Sequence, residues 1–128
     1  MTTIWAQQAL TAEGWKEDVL ISIGEDGHIE SVAPNSPPRG KRVGALLPAP
    51  ANLHSHAFQR AMAGMTEHRG RDPSDNFWTW RKLMYKFLKH LTPEDIQAVT
   101  AFVHMEMLEA GYGASVEFHY IHHQVDGT

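Results

Sequence analysis

The stretch that most constrains this chain is residues 46–60, which read LLPAPANLHSHAFQR. A short apolar run ends in His54-Ser55-His56, and a segment typical of helices follows. In an extended strand, residues i and i+2 point to the same face, so we expect His54 and His56 to project together. Neutral imidazole is a good ligand for Zn²⁺, which takes about four ligands. The pair therefore predicts half of a zinc site, with its other ligands elsewhere.

The position of this pair in the chain favours a functional role. A His-x-His motif by itself is weak evidence, because two solvated histidines are the simpler interpretation. Here, however, the motif stands at the carboxyl end of an apolar run. Parallel β/α folds place their active sites at the carboxyl ends of strands.

Composition and charge exclude several classes of protein. The 128 residues are 42% hydrophobic and 20% charged, which is typical of a globular domain. A formal net charge of −4 argues against nucleic-acid binding, and the lack of cysteine excludes disulfides and thiolate zinc sites. No stretch approaches the roughly 18 apolar residues of a membrane helix, and the N-terminus lacks a signal-peptide pattern. We therefore expect a cytoplasmic protein that binds neither nucleic acid nor membrane.

Residues 1–45 are predicted to form short strands and turns. Residues 18–23 are rich in aliphatic and β-branched side chains, which favour a strand. Asp26-Gly27 is typical of a tight hairpin turn, and residues 28–32 alternate as the return strand. No residue in this part of the chain points to chemistry.

Two amphipathic helices are predicted further along the chain. Apolar residues recur at helical spacing over residues 76–90, and Ser74 or Asp75 can cap this helix. Thr92 followed by Pro93 predicts the start of the second helix. The apolar stripe of the first helix consists of Phe77, Trp80, Met84, Phe87 and Leu88.

The order of the predicted elements indicates an α/β fold. A strand around residues 51–55 precedes the helices, and a second strand is predicted over residues 114–120. Strand, helices and strand in this order require a parallel pair of strands.

Three motifs, in order along the chain, resemble one known family. They are NLHSHAFQRAMAG at residues 52–64, FWTWR at residues 77–81 and EFHYIHH at residues 117–123. The first resembles the first barrel strand of the amidohydrolase superfamily, and together they resemble the formimidoylglutamate deiminases within it. The resemblance implies that residues 1–45 are part of a small β-sandwich and that residues 46–128 begin a (β/α)₈ barrel.

The resemblance also implies how much of such a protein is present here. A (β/α)₈ barrel typically needs about 250 residues, so this chain would carry about the first two strands of eight. We therefore expect an N-terminal portion of a longer protein, for which a homodimer is an open expectation.

The resemblance implies a reaction in histidine degradation. The formimino C–N bond of N-formimino-L-glutamate would be hydrolysed to N-formyl-L-glutamate and ammonia, with hydroxide supplied at one bound Zn²⁺ ion. By this resemblance, His54 and His56 are metal ligands. The other ligands and the catalytic residues would come from later strands, so none is expected within this chain. The isolated chain is accordingly expected to be inactive.

The resemblance assigns three residues to the substrate, which carries two carboxylates. Gln59, Arg81 and Tyr120 match positions that hold the glutamate end. A guanidinium fork suits a carboxylate, which accepts two parallel hydrogen bonds. The residues alone allow other interpretations: a surface amide at Gln59, a solvated charge at Arg81 and strand-end packing at Tyr120.

Two alternative functions stay open. One is another amidohydrolase-type deaminase or chlorohydrolase, which Arg81 and Tyr120 disfavour because a neutral ring needs no carboxylate clamp. The other is a non-catalytic fragment that binds metal. A second metal site is also conceivable at His119, His122 and His123, but these residues alternate between the two faces of the predicted strand.

Overall fold

The computed structural model describes residues 2–68, 74–123, 126 and 128. The chain divides into two compact units, Met1–Pro48 and Ala49–Thr128. Among the described residues, neither helix has the length and apolar character that crossing a membrane requires.

Four strands form one sheet in the first unit. They are β1 (Thr2–Thr11), β2 (Gly14–Ile23), β3 (Ile29–Ala33) and β4 (Lys41–Leu46). The order across the sheet is β3-β2-β1-β4. The pairs β1–β2 and β2–β3 are antiparallel, whereas β1 and β4 run parallel. Residues 41–46 were not predicted as a strand, because their partner in β1 lies far away in sequence.

The turn between β2 and β3 has the predicted hairpin form. The Gly24 N–H donates to the His28 carbonyl oxygen at 2.9 Å, and Gly27 has a φ of 82°. Glycine adopts this left-handed conformation without steric cost, which explains the Asp-Gly signal. The Asp26 carboxylate also accepts from the His28 N–H at 3.0 Å.

Small apolar side chains form the core of this sheet. Ala6, Ala9 and Val19 are buried. Partly buried side chains of Ile21, Val43 and Leu46 pack against them.

The second unit contains two strands, a 3₁₀ helix and two α-helices. In chain order they are β5 (Ala51–Ser55), the 3₁₀ helix (Ala57–Met62), α1 (Phe77–Leu88), α2 (Pro93–Glu109) and β6 (Ala114–Glu117). Strands β5 and β6 pair in parallel, as the order of the elements predicted.

Both α-helices begin with a reciprocal cap. The Asn76 side chain accepts from the Trp78 N–H, and the Thr79 hydroxyl accepts from the Asn76 N–H, so the prediction of Ser74 or Asp75 as the cap was wrong. An asparagine amide provides the same acceptor oxygen as an aspartate. At α2 the predicted cap is confirmed, because the Thr92 hydroxyl accepts from the Asp95 backbone N–H.

The core of the second unit lies between the 3₁₀ helix and α1. Phe58, Met62 and Met84 are each 2% exposed. Most of the predicted α1 stripe packs there, but Phe77 is 60% exposed. The half-buried side chains around this core are Trp80, Phe87, Leu88, Leu91, Ile96, Tyr120 and Ile121.

Candidate metal centre

The two histidines of the His-x-His motif lie side by side where β5 ends. Their ring centroids are 4.6 Å apart, with an interplanar angle of 77°. Ser55 between them is buried, whereas His54 is exposed and His56 is half-buried. The geometric prediction that the two imidazoles project together is therefore confirmed, and their metal-binding role stays a prediction.

The backbone of this segment is held by local and distant groups. The Asn52 side-chain oxygen accepts from the His54 N–H at 3.1 Å. The Asn52 amide nitrogen lies 3.6 Å from the Met107 sulfur on α2. This contact links the short strand to α2.

The imidazole of His56 is oriented by a backbone carbonyl. Its Nδ1 lies 3.0 Å from the Phe118 carbonyl oxygen. A carbonyl only accepts, so Nδ1 carries the proton in this hydrogen bond and the Nε2 lone pair is left available. Metal-binding histidines commonly use one ring nitrogen for the ion and donate the other to a carbonyl or carboxylate.

The donor set fits two positions of a zinc site. Imidazole nitrogen is a good ligand for Zn²⁺, and the two rings lie next to each other at the end of one strand. In the part of the chain that the structure describes, no group of three or more histidine, aspartate or glutamate side chains is arranged to hold a metal. The two imidazoles would therefore be half of the roughly four ligands that a zinc ion needs.

The glutamate at the end of β6 lies beside this pair and has a structural contact. Glu117 Oε1 accepts from the Ala57 N–H, directly after His56, at 2.8 Å. Its other oxygen, Oε2, is buried and has no hydrogen-bond partner among the described residues. This contact was not predicted, since two residues 60 positions apart leave no local signal in the sequence.

Tyr120 contacts the histidine pair through an unusual backbone conformation. Its φ is 63°, and its ring centroid is 4.8 Å from His56, 5.7 Å from Phe58 and 4.7 Å from Phe118. The left-handed region is rare for bulky residues. The prediction of a strand through residue 120 with alternating faces was therefore wrong, because β6 ends at Glu117.

The Gln59 N–H donates to the His56 carbonyl oxygen at 2.9 Å, but the side chains of the other two predicted substrate residues have their described contacts elsewhere. Gln59 is half-buried, with its amide nitrogen 3.6 Å from the Met84 sulfur. Arg81 is exposed on α1, where its guanidinium carbon lies 4.8 Å from the Tyr85 ring centroid and 6.0 Å from that of Trp78. Of the three predicted side chains, that of Tyr120 has a described contact with the ring of His56.

An ion pair links the segment after the histidines to α2. The Arg60 guanidinium donates to both oxygens of Glu106, at 2.9 and 3.0 Å, and lies 5.3 Å from the Phe102 ring centroid. These hydrogen bonds and the attraction of opposite charges lower the pKa of Glu106 and raise that of Arg60. This ion pair was not predicted, because its members are 46 positions apart in the sequence.

The remaining histidines of the C-terminal motif line an open cavity. His119, His122 and His123 surround a volume of about 430 Å³ together with Thr92 and Ile96. They do not form a metal-binding group in the described part of the chain.

Comparison with known proteins gives three consistent similarities. The sequence model of a family described as "Formimidoylglutamate deiminase HutF, N-terminal domain" matches residues 1–41. A formimidoylglutamate deiminase of Pseudomonas aeruginosa is 48% identical over 129 aligned residues, which cover 99% of this chain. The crystal structure of an amidohydrolase from Brucella melitensis superposes with a TM-score of 0.89 and 45% identity over the whole chain.

These similarities indicate first a class of protein and then a family. Over its whole length the chain is similar in fold and sequence to part of an amidohydrolase. Within that class, its similarity is to proteins named formimidoylglutamate deiminases. The chain spans 28% of the length of the Pseudomonas protein and 29% of the Brucella chain.

Proposed function

We propose that this chain supplies the N-terminal part of a zinc-dependent deiminase of histidine degradation. The reaction is hydrolysis of the formimino C–N bond of N-formimino-L-glutamate, which yields N-formyl-L-glutamate and ammonia. The observation that carries the proposal is the pair of adjacent imidazoles at the end of β5. Homology to a formimidoylglutamate deiminase supplies the substrate and the reaction.

In this proposal His54 and His56 hold one zinc ion. His56 binds through Nε2, because its Nδ1 proton is committed to the Phe118 carbonyl. A zinc ion held by these residues would lower the pKa of water and so would provide a nucleophile at neutral pH. The other ligands and the groups that transfer protons lie outside residues 1–128, so the chain alone does not turn over substrate.

The carboxylates of the substrate define the proposed roles of the three other residues. Arg81 offers a guanidinium fork, which Trp78 and Tyr85 flank on the same helix. Tyr120 lies against His56 and can reach substrate held next to the ion. Gln59 follows the histidines on the 3₁₀ helix and offers an amide to the same end of the substrate.

The architecture belongs to the same proposal. Residues 1–45 are assigned to a partial β-sandwich and residues 46–128 to the start of a (β/α)₈ barrel. In this assignment, the parallel pair β5–β6 corresponds to the first two barrel strands. A cytoplasmic location and a homodimer of the longer protein complete the proposal.

The zinc claim is tested by affinity measurements on the 128-residue chain. We expect measurable Zn²⁺ binding by competition with a chromophoric chelator, and at least about a tenfold loss in His54→Ala and in His56→Ala. His90→Ala is the matched control, because His90 is an exposed histidine outside the His-x-His motif. Equal affinity in all four proteins would refute the proposed ligands.

The activity claim is tested by ammonia release from N-formimino-L-glutamate. We expect no turnover by the purified chain with added zinc, because its described residues offer two of about four zinc ligands. Steady ammonia release that disappears in His54→Ala would contradict this expectation.

A non-catalytic metal-binding role is the second candidate function. It is favoured by the same observation, that the described residues offer two of about four zinc ligands.

A further inference from the structure

We propose that Glu117 is a positioning residue that fixes the orientation and tautomer of His56. The inference rests on the proposed metal-binding role of the histidine pair. Glu117 ends β6 and stands in parallel register with Ser55 on β5. Its Oε1 accepts from the Ala57 N–H at 2.8 Å, so it holds the backbone immediately after the histidine.

The Glu117 carboxylate provides the cap of the 3₁₀ helix, which the His56 side chain does not provide. His56 is the N-cap of the 3₁₀ helix, with φ −134° and ψ 79°, but its side chain makes no capping hydrogen bond. The Glu117 carboxylate instead satisfies the first N–H of that helix. The imidazole is thereby left for the Phe118 carbonyl and for an ion.

Three hydrogen bonds at consecutive positions join the two strand ends. The Phe118 N–H donates to the Ser55 carbonyl oxygen at 3.0 Å. The Phe118 carbonyl accepts from His56 Nδ1 at 3.0 Å, and Glu117 accepts from Ala57. Without the Glu117 acceptor, the backbone on the C-terminal side of His56 can rotate, and the Nδ1 hydrogen bond that sets the tautomer weakens.

The carboxylate fulfils this role with one of its two oxygens. Oε2 is buried and has no hydrogen-bond partner in the described part of the chain. A buried acceptor without a partner costs stability. Glutamine has the same length and keeps an acceptor for the Ala57 N–H. The positioning role therefore depends on the acceptor at residue 117, and Glu117→Gln preserves it.

The test compares Glu117→Ala and Glu117→Gln with Glu109→Ala, which removes an exposed carboxylate from α2. Nitrogen-15 NMR of the metal-free 128-residue chain reads the His56 tautomer at a pH of about 8. We expect the Nδ1–H form in the wild type, in Glu117→Gln and in Glu109→Ala, and a mixture of tautomers in Glu117→Ala. Zinc affinity, measured with the metal alone, falls about tenfold in Glu117→Ala.

An unchanged tautomer in folded Glu117→Ala would overturn the inference. So would an equal loss in Glu117→Gln, which keeps the acceptor. Where circular dichroism shows that Glu117→Ala does not fold, Glu117→Asp replaces it with the same expectation, because its side chain is one methylene too short to reach Ala57. A wild-type chain that binds no zinc refutes the proposed function, whereas the tautomer still decides the role of Glu117.

Discussion

Tyr120 shows at the scale of one residue how packing overrides local preference. Its φ of 63° lies in the left-handed region, which costs a non-glycine residue about 1–3 kcal/mol. With this conformation, three residues after the end of β6, the ring lies against both His56 and Phe58. The core contact offsets the backbone strain, and such outliers are enriched at functional sites.

Truncation of this ring should destabilise the second unit. We expect Tyr120→Ala to lose about 1–3 kcal/mol of unfolding free energy, because it removes packing against the core around Phe58. Tyr120→Phe keeps the ring and should remain within about 0.5 kcal/mol of the wild type. Urea unfolding curves of the three proteins measure both effects. The same midpoint for wild type and Tyr120→Ala would show that the ring is not part of the core.

At the scale of elements, the 3₁₀ helix is held to α2 by the Arg60–Glu106 pair. The guanidinium bonds both carboxylate oxygens, a geometry more specific than a single contact. Because these hydrogen bonds lower the pKa of Glu106, the folded chain binds fewer protons there than the unfolded chain. The contribution of the pair is present above the usual glutamate pKa and is lost as the pH falls through the lowered value.

Removal of the Glu106 charge should therefore lower the thermal stability of the chain by an amount that depends on pH. We expect Glu106→Gln to lower Tm by about 1–3 °C at neutral pH, with the difference from wild type shrinking below a pH of about 4. Glu109→Gln, at the exposed end of the same helix, should follow the wild type at every pH. Thermal melts across the pH range measure both differences. A constant offset for Glu106→Gln would mean that packing, and not charge, explains its effect.

Local signals in the sequence predicted some elements, and long-range contacts decided the others. Thr92 and Pro93 marked the start of α2 because a cap is a property of neighbouring residues. The i, i+2 spacing of His54 and His56 placed their rings together for the same reason. The contact of Glu117 with Ala57 could not be predicted, because it arises from pairing of strands 60 positions apart. Strand β4 was missed because its partner is β1.

On the scale of the whole molecule, the parallel pair β5–β6 leaves apolar surface uncovered. Leu53 is 75% exposed, Val116 58% and Phe118 54%. In the described part of the chain, each strand of this sheet has one neighbour, so each has an edge without a partner strand. Unpaired edges with apolar side chains are sites of association between chains.

The purified chain should therefore associate with itself. We expect light scattering after size exclusion to report species larger than a 14.4 kDa monomer, growing with concentration. Leu53→Ser combined with Val116→Ser should shift the distribution towards monomer, because it removes apolar surface from the pair of strands. Leu10→Ser combined with Trp15→Ser, which replaces exposed side chains of the first unit, is the control. A monodisperse monomer with a sharp thermal transition would contradict this expectation.

The binding of one zinc ion by both imidazoles is tested most directly by nitrogen-15 NMR of the histidine side chains during titration of the chain with Zn²⁺. The account predicts that the ring signals of His54 and His56 shift together at one ion per chain, with His56 shifting at Nε2, while His90 stays unchanged. Signals of His54 and His56 that do not move, or that move at different zinc concentrations, would contradict a shared ion.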